Sequence, residues 1–384
     1  MNGETRQLVQ AIHDCPTRVV LVTAGAGTQA LSHLLNVAGA SRTLLEALVP
    51  YSEASFDDFL GQTPQQYVAD EAARLMAGRA YTRARWLLPS TFPMVGLACT
   101  ATIVTDRPKR GDHRAYIAVW QPEQLVCQCL HLDKGARDRT GEEDVVSRLM
   151  LNLLAAACGL EQSVPVPTGP GDHLTESRYD FAEKAQALLA GELAYFGVDD
   201  NGRFLLPPNP PPLLLSGSFN PLHDGHLEMA QAAAEIMGQR VAFELSAVNV
   251  DKPPLTAELV LHRLAQFAGR HPVFASTAPT FVEKSRLYPG ATFVVGFDTA
   301  MRILQPRYYE DSRSHMLRSL SEINEHGCRF LVAGRADENG RFRQTTDLTI
   351  PPGCQRLFQP IPDYRFRKDI SSTELRRRGQ RGSR

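Results

Sequence analysis

From Leu213 onward the chain repeats one pattern: a short apolar run, a turn, then residues with apolar side chains at helical spacing. Leu213–Ser216, Val241–Ser246, Val273–Ser276, Thr292–Gly296 and Arg329–Ala333 read as strands. Leu227–Ile236, Ala257–Phe267, a segment from about Thr299, and His315–Glu325 read as helices. Such alternation implies an α/β fold, a parallel sheet with helices on both faces. Ligands on such a sheet bind beyond the carboxyl ends of the strands. Gly217–His226, after the first strand, and Gly296-Phe297-Asp298, after the fourth, fall there.

With 384 residues the chain is too long for one ordinary domain. The proline run Leu205–Pro212 cannot continue a helix or a central strand and reads as a linker. Gly159–Gly171, rich in Pro and Gly, reads as another connector. The spacing of Phe181, Ala185, Leu188, Leu189 and Leu193 predicts a bridging helix over Thr175–Phe196. The expected division is therefore a first domain over 1–165, a linker with a bridging helix over 166–210, and a second domain over 211–384. The first domain is α/β too. Val19–Val22 and Leu125–Leu132 read as strands, Val95–Val104 and Ala115–Trp120 as β-rich, and Gln29–Val37, Ala69–Ala77 and Glu142–Ala157 as helices.

The formal net charge of −1 argues neither for nor against nucleic acid. Seven cysteines, a polar N-terminal segment and no stretch of about 18 apolar residues predict a cytoplasmic protein with reduced thiols and no membrane span. Cys127 and Cys129 are the one close pair, on one face of a strand, without a second pair at zinc-ligand spacing.

Moving a nucleotidyl group between phosphates sets anion against anion. It asks for alignment and charge neutralisation more than for covalent chemistry. Small residues let the backbone approach, and a helix N-terminus adds donors. Gly217 and Ser218 meet the first need. His223 and His226, at a strand-to-helix turn, are candidates to present imidazole donors to one phosphate chain. Gly225 leaves space between them, and Asp224 is a candidate helix cap. Near the C-terminus, Ser371, Ser372 and the amide of Thr373 fall at a predicted helix start, with Arg376 in its first turn ready to fork onto phosphate oxygens. Each segment also has an ordinary reading, as a polar turn or a capping sequence. Their joint presence in one α/β region makes nucleotidyl transfer the expectation.

On these residues, the region from about 211 to 380 resembles the nicotinamide/nicotinate mononucleotide adenylyltransferases, a nucleotidyltransferase family with an HxGH-type and an ISSTxxR-type motif. Gly217–His226 matches the first and Ile370–Arg376 the second. Gly296-Phe297-Asp298 resembles the family's Gly-x-Asp, and Ser246–Lys252 falls where the family has a loop with a phosphate-facing lysine. The resemblance implies a Rossmann-like domain using ATP with Mg²⁺, transferring adenylate to a pyridine mononucleotide and releasing pyrophosphate. It assigns catalysis to His223, His226, Lys252 and Arg376. It assigns ATP binding to Gly217, Ser218, Phe219, Asn220, Gly225, Gly296, Asp298, Ser371, Ser372 and Thr373. Where the family often stacks a Trp on the pyridine ring, this chain has Tyr308 and Tyr309, the candidate acceptor contacts. Pantetheine-phosphate adenylyltransferases and small-alcohol cytidylyltransferases share the motifs, so other phosphorylated acceptors stay open. The implied partners are small-molecule nucleotides, with no nucleic acid or membrane, in a homo-oligomer.

In the first domain, Val22–Ala30 reads literally as a G-x-G-x-x-A dinucleotide turn, but no strand ending in an acid follows, since Leu44-Leu45-Glu46 reads as helical or irregular. Residues 20–158 resemble instead the C-terminal domain of the competence-damage-inducible (CinA) family, which includes nicotinamide mononucleotide deamidases. The resemblance rests on that turn, Val37–Ser41, Val49–Ser52, Gly96–Thr100 and Arg107–Gly111. The family's catalytic serine falls on Ala24 and its lysine on Phe56, while Tyr51 remains. Alanine is no nucleophile and phenylalanine activates none, so this domain is expected not to deamidate. Two further readings stand beside adenylyl transfer: a non-catalytic nucleotide-binding or scaffold protein, and a bifunctional enzyme.

Overall fold

The computed structural model describes residues 1–89, 91–106, 110–248, 253–337 and 340–367. In the first half, α1 (Gly3–Asp14), β1 (Arg18–Ala24), α2 (Thr28–Asn36), β2 (Leu44–Leu48), α3 (Glu53–Leu60) and α4 (Asp70–Leu87) lead into β3 (Met94–Thr102). Then come β4 (His113–Trp120), β5 (Gln124–Leu132), α5 (Arg139–Ala157) and β6 (His173–Asp180). The six strands form one sheet in the order β2-β1-β3-β4-β5-β6. Its β2-β1-β3 side is parallel and its β3-β4-β5-β6 side antiparallel.

The second half runs through α6 (Phe181–Leu189), β7 (Tyr195–Val198), β8 (Phe204–Leu205), β9 (Leu213–Ser216), α7 (Asp224–Met237), β10 (Ala242–Ser246), α8 (Ala257–Leu264), β11 (Val273–Ser276) and α9 (Phe281–Leu287). It continues with β12 (Thr292–Gly296), α10 (Phe297–Ile303), α11 (Arg313–Glu325), β13 (Arg329–Ala333), β14 (Arg335–Ala336), β15 (Phe342–Arg343) and β16 (Phe358–Ile361). Eight strands form a sheet in the order β16-β13-β12-β9-β10-β11-β7-β8. The six from β16 to β11 are parallel, as the alternation predicts, and β7-β8 is an antiparallel edge hairpin.

Three local expectations are corrected. Residues 175–196 are not one helix. The polar alternation of His173–Asp180 pairs with β5 as an edge strand, and the helix begins only after Asp180, whose carboxylate accepts from the Glu183 amide at 2.8 Å. The segment 166–210 thus supplies strands to both sheets rather than only bridging them. Leu44–Leu48 is a strand, because pairing beside β1 outweighs the helix propensity of Leu, Glu and Ala. Behind the sheets one continuous core joins Ala77, Tyr81 and Trp120 of the first half to Leu215, Phe243 and Phe267 of the second.

Candidate active site

After the β7-β8 edge hairpin, the chain enters the parallel part of the second sheet at its centre, at β9. It steps through β10 and β11 to one side, then returns to β12 and steps through β13 and β16 to the other. The reversal lies between β9 and β12, which pair in parallel, so the loops leaving their carboxyl ends stand side by side. A crevice at such a reversal is where open α/β sheets hold ligands. A cavity of about 680 Å³ opens here. The loop after β9 contributes Gly217, Ser218 and Asn220 to its wall, and α10 with the following turn contributes Thr299, Arg302, Tyr308 and Tyr309.

The turn after β9 is built around Phe219. Its ring is fully buried, packed edge-on against Phe243, Phe267 and His226 at centroid distances of 5.5, 5.2 and 5.2 Å. Its backbone is left-handed, φ 43°, a conformation that costs a non-glycine residue about 1 kcal/mol or more. Gly217 makes room for that ring: a Cβ there would lie 2.8 Å from it. Phe219, expected at the nucleotide, is therefore a core wedge that shapes the turn, and Ser218 and Asn220 on either side of it face the cavity.

His223 caps α7, and Asp224, expected as the cap, is its first residue, an acid placed well for the helix dipole. The His223 and His226 rings stack at 3.7 Å, 23° apart. The His223 backbone N–H donates to Nδ1 of His226 at 3.3 Å, so the proton of the neutral ring sits on Nε2. Burial, and then the neighbouring His223, push the His226 pKa down to about 3. His226 is thus a neutral hydrogen-bond donor, not a cation, and neither ring lines the cavity itself.

The cations come from residues that the motifs do not mark. Arg263 of α8, Lys284 of α9 and Arg302 of α10 line the cavity, and no Asp or Glu is among its described lining residues. Lys284 is nearly buried and pairs with the fully buried Glu244 of β10. It also donates to Ser246 Oγ at 2.5 Å, while Ser276 Oγ donates to the other Glu244 oxygen at 2.7 Å. A charged residue inside the otherwise apolar run Val241–Leu245 was the sequence signal for this floor. Tyr309 donates its hydroxyl to the Ile303 carbonyl at 3.0 Å, and Arg307 lies over the Tyr308 ring at 4.7 Å. Asp298 is not in the cavity wall. It is half-exposed and ion-paired with Arg335. Gly296 caps α10 with open space around its Cα, and Gly225 is buried in the first turn of α7. Lys252, Ser371, Ser372, Thr373 and Arg376 lie outside the described residues.

Among the described residues no group of three or more His, Cys, Asp or Glu side chains is placed to hold a metal. With no described carboxylate on the cavity wall either, these residues offer Mg²⁺ no ligand set of their own.

The glycine turn of the first domain is occupied by the protein itself. Glu143, buried on α5, accepts from the Gly27 amide at 3.0 Å, the Gln29 amide at 2.9 Å and Thr28 Oγ1 at 3.1 Å. Gly25 sits so close to β3 that a Cβ would lie 1.9 Å from the Ala101 carbonyl oxygen. Glu46, on the strand after the turn, is held in a fork by Arg83 at 2.7 and 3.0 Å. Ala24 and Phe56 belong to the core, while Tyr51 stands 72 % exposed.

Residues 214–378 match the cytidylyltransferase-like family, so the C-terminal part of the chain is a nucleotidyltransferase-like domain. Within that class, the chain is similar to the probable nicotinate-nucleotide adenylyltransferase of Gloeobacter violaceus, 29 % identical over 180 residues, which span 42 % of this chain and 81 % of that protein. Solved competence/damage-inducible proteins are also similar. They include one from Agrobacterium tumefaciens (19 % identity, TM-score 0.35, 41 % of this chain and 97 % of that one). Another is a CinA superfamily protein from Escherichia coli (18 %, TM-score 0.31, 40 % and 89 %). Among the described residues no helix is long and apolar enough to cross a membrane.

Proposed function

We propose that the chain transfers the adenylyl group of ATP to a pyridine mononucleotide, nicotinate or nicotinamide mononucleotide. The observation that carries this reading is the crevice after β9 and β12. It sits at the sheet's reversal, is edged by Gly217–Asn220, and is lined by Arg263, Lys284 and Arg302 with no described acid. Such a wall suits two phosphorylated ligands brought together. The similarity to a probable nicotinate-nucleotide adenylyltransferase supports the acceptor.

In the reaction a phosphate oxygen of the mononucleotide attacks the α-phosphorus of ATP. The bond from that phosphorus to the bridging oxygen breaks, and pyrophosphate leaves with the electron pair. Mg²⁺ arrives as part of the ATP substrate, on the phosphate oxygens. Ser218 and Asn220 fix the phosphate chain at the loop, and His226, which stands behind the cavity wall, is assigned by its motif to offer a neutral Nε2–H as charge develops on the leaving group. Tyr308 and Tyr309 form the wall for the acceptor ring. Lys252, Ser371, Ser372, Thr373 and Arg376 complete the phosphate contacts on this reading, by their motifs. The first domain does not deamidate. Amide hydrolysis that disappears in Tyr51→Phe would overturn that statement.

The test is pyrophosphate release from ATP or CTP with Mg²⁺, with nicotinate mononucleotide, nicotinamide mononucleotide and phosphopantetheine offered separately. Release with ATP and one pyridine mononucleotide, with the matching dinucleotide by mass, is expected. Release only with CTP or only with phosphopantetheine would overturn the acceptor or donor named here.

A further inference from the structure

The turn that carries the histidines is held from behind by α8 and the short turn after it. Gln266 accepts from the Leu222 amide at 2.9 Å and donates to the Phe219 carbonyl at 2.8 Å, so one side chain spans the loop. Arg263, one helical turn earlier, donates to the Ser218 carbonyl at 3.2 Å. Phe267 packs on the Phe219 ring. The left-handed backbone of Phe219 is thus fixed on both sides by residues of one short segment.

That segment is in turn held by the first domain. Gly269 lies backbone to backbone against α4: a Cβ on Gly78 would be 2.5 Å from the Gly269 nitrogen. His262 and Arg85 meet at 3.3 Å. Trp120 of β4, together with Phe181 at the start of α6, borders a small gap against Leu261 and Leu264. Glycines at both sides of the closest contact let the helix and the turn approach more tightly than any side chain would permit.

We propose that Gln266 is a positioning residue for the transfer, and that the first domain sets it by pressing the end of α8 against the phosphate loop. This role rests on the adenylyl-transfer reading. It gives the first domain a part in the reaction without any chemistry of its own.

The full chain is assayed for pyrophosphate release and melting temperature as wild type, Gln266→Met, Gln266→Glu, Gly78→Ala, Phe181→Leu and Gln266→Met with Gly78→Ala. Gln266→Met removes both loop bonds at similar volume. It is expected to lower kcat by roughly ten- to hundredfold, the scale of a small misplacement of reacting groups. KM should change little, while Tm should fall modestly, because the Leu222 amide and the Phe219 carbonyl lose this partner. Gln266→Glu keeps the acceptor for Leu222 and should recover part of the loss. Gly78→Ala, in the other domain, should lower kcat several-fold, and the double variant should lose less than the product of the two. Should Gly78→Ala not fold, Phe181→Leu, which thins the packing of α6 and Trp120 beside α8, takes its place. Wild-type kcat in Gln266→Met, or in the folded interface variant, overturns the proposal, as do losses that simply multiply. No release from the wild type overturns the transfer reading first, and the proposal with it, before any variant is compared.

Discussion

The molecule contains two strand–turn–helix units that begin alike and end differently. β1 leads through Gly25-Ala26-Gly27 into α2, and β9 leads through Gly217–Leu222 into α7. Both present a helix N-terminus beyond the end of a parallel strand, the arrangement that binds anions. In the first, the Glu143 carboxylate already takes the Gly27 and Gln29 amides at 3.0 and 2.9 Å. In the second, the nearby buried carboxylate, Glu244, is matched by Lys284 on the cavity floor, and the loop edges an open cavity. A glycine-rich turn therefore states a possibility. Where the nearest carboxylate lies decides whether the protein or a ligand fills it.

The strongest way to break this contrast is to unbalance the second carboxylate. Lys284→Met leaves Glu244 buried without its cation, which costs about 3–5 kcal/mol in comparable pairs. A large drop in Tm is expected. An unchanged Tm would mean that the floor is not held by this pair. Next in size, His226→Ala removes the donor at the open helix start. Assayed well below the variant's own melting temperature, pyrophosphate release should fall by roughly 10²–10³, the scale seen when one preorganised donor is lost. An enzyme of normal speed would sink the assignment of His226. On the other side, Glu143→Ala should cost about 2 kcal/mol, the scale of a lost charged cap. It should also uncover the α2 start, so that inorganic phosphate raises the Tm of the variant more than that of the wild type. Equal phosphate effects would show that the carboxylate is not what closes this turn.

The parallel half of the second sheet was legible because its strands are unbroken apolar runs between helical stretches. Gly217–His226 was legible because small and polar residues concentrate there, between an apolar strand and a helix. What escaped the sequence is what depends on tertiary partners. Phe219 reads as part of a ligand loop, yet its ring is pulled into the core by Phe243 and Phe267. Arg263, Lys284 and Arg302 are ordinary helix residues until three helices bring them to one cavity. β6 is an edge strand so exposed that its alternation carries almost no apolar signal. Glu143 sits more than a hundred residues from the turn it fills, and no local pattern announces it.

The smallest effect is one of pH. Burial pushes the pKa of His226 down to about 3 and those of His262 and His271 down to about 4. All three lie below the usual histidine value of about 6.5. Above pH 6.5 these rings are neutral in both the folded and unfolded chain, and their contribution to stability is complete. As pH falls below 6.5 the unfolded chain takes up protons that the folded chain refuses, so stability is lost down to the folded values near 3 and 4. For the two deeper rings, His226 and His271, the loss is at most about 1.4 kcal/mol per pH unit each. Calorimetry between pH 7 and pH 5 should show a falling Tm, with a shallower slope in His271→Phe. Over the same range kcat should show no titration belonging to His226, because a ring neutral throughout donates the same Nε2–H at pH 5 as at pH 8. An acid limb near pH 6.5 that vanishes in His226→Gln would mean that the ring is a cation in the working enzyme. The second turn would then meet its phosphate with full charge, where the first meets only a carboxylate of its own chain.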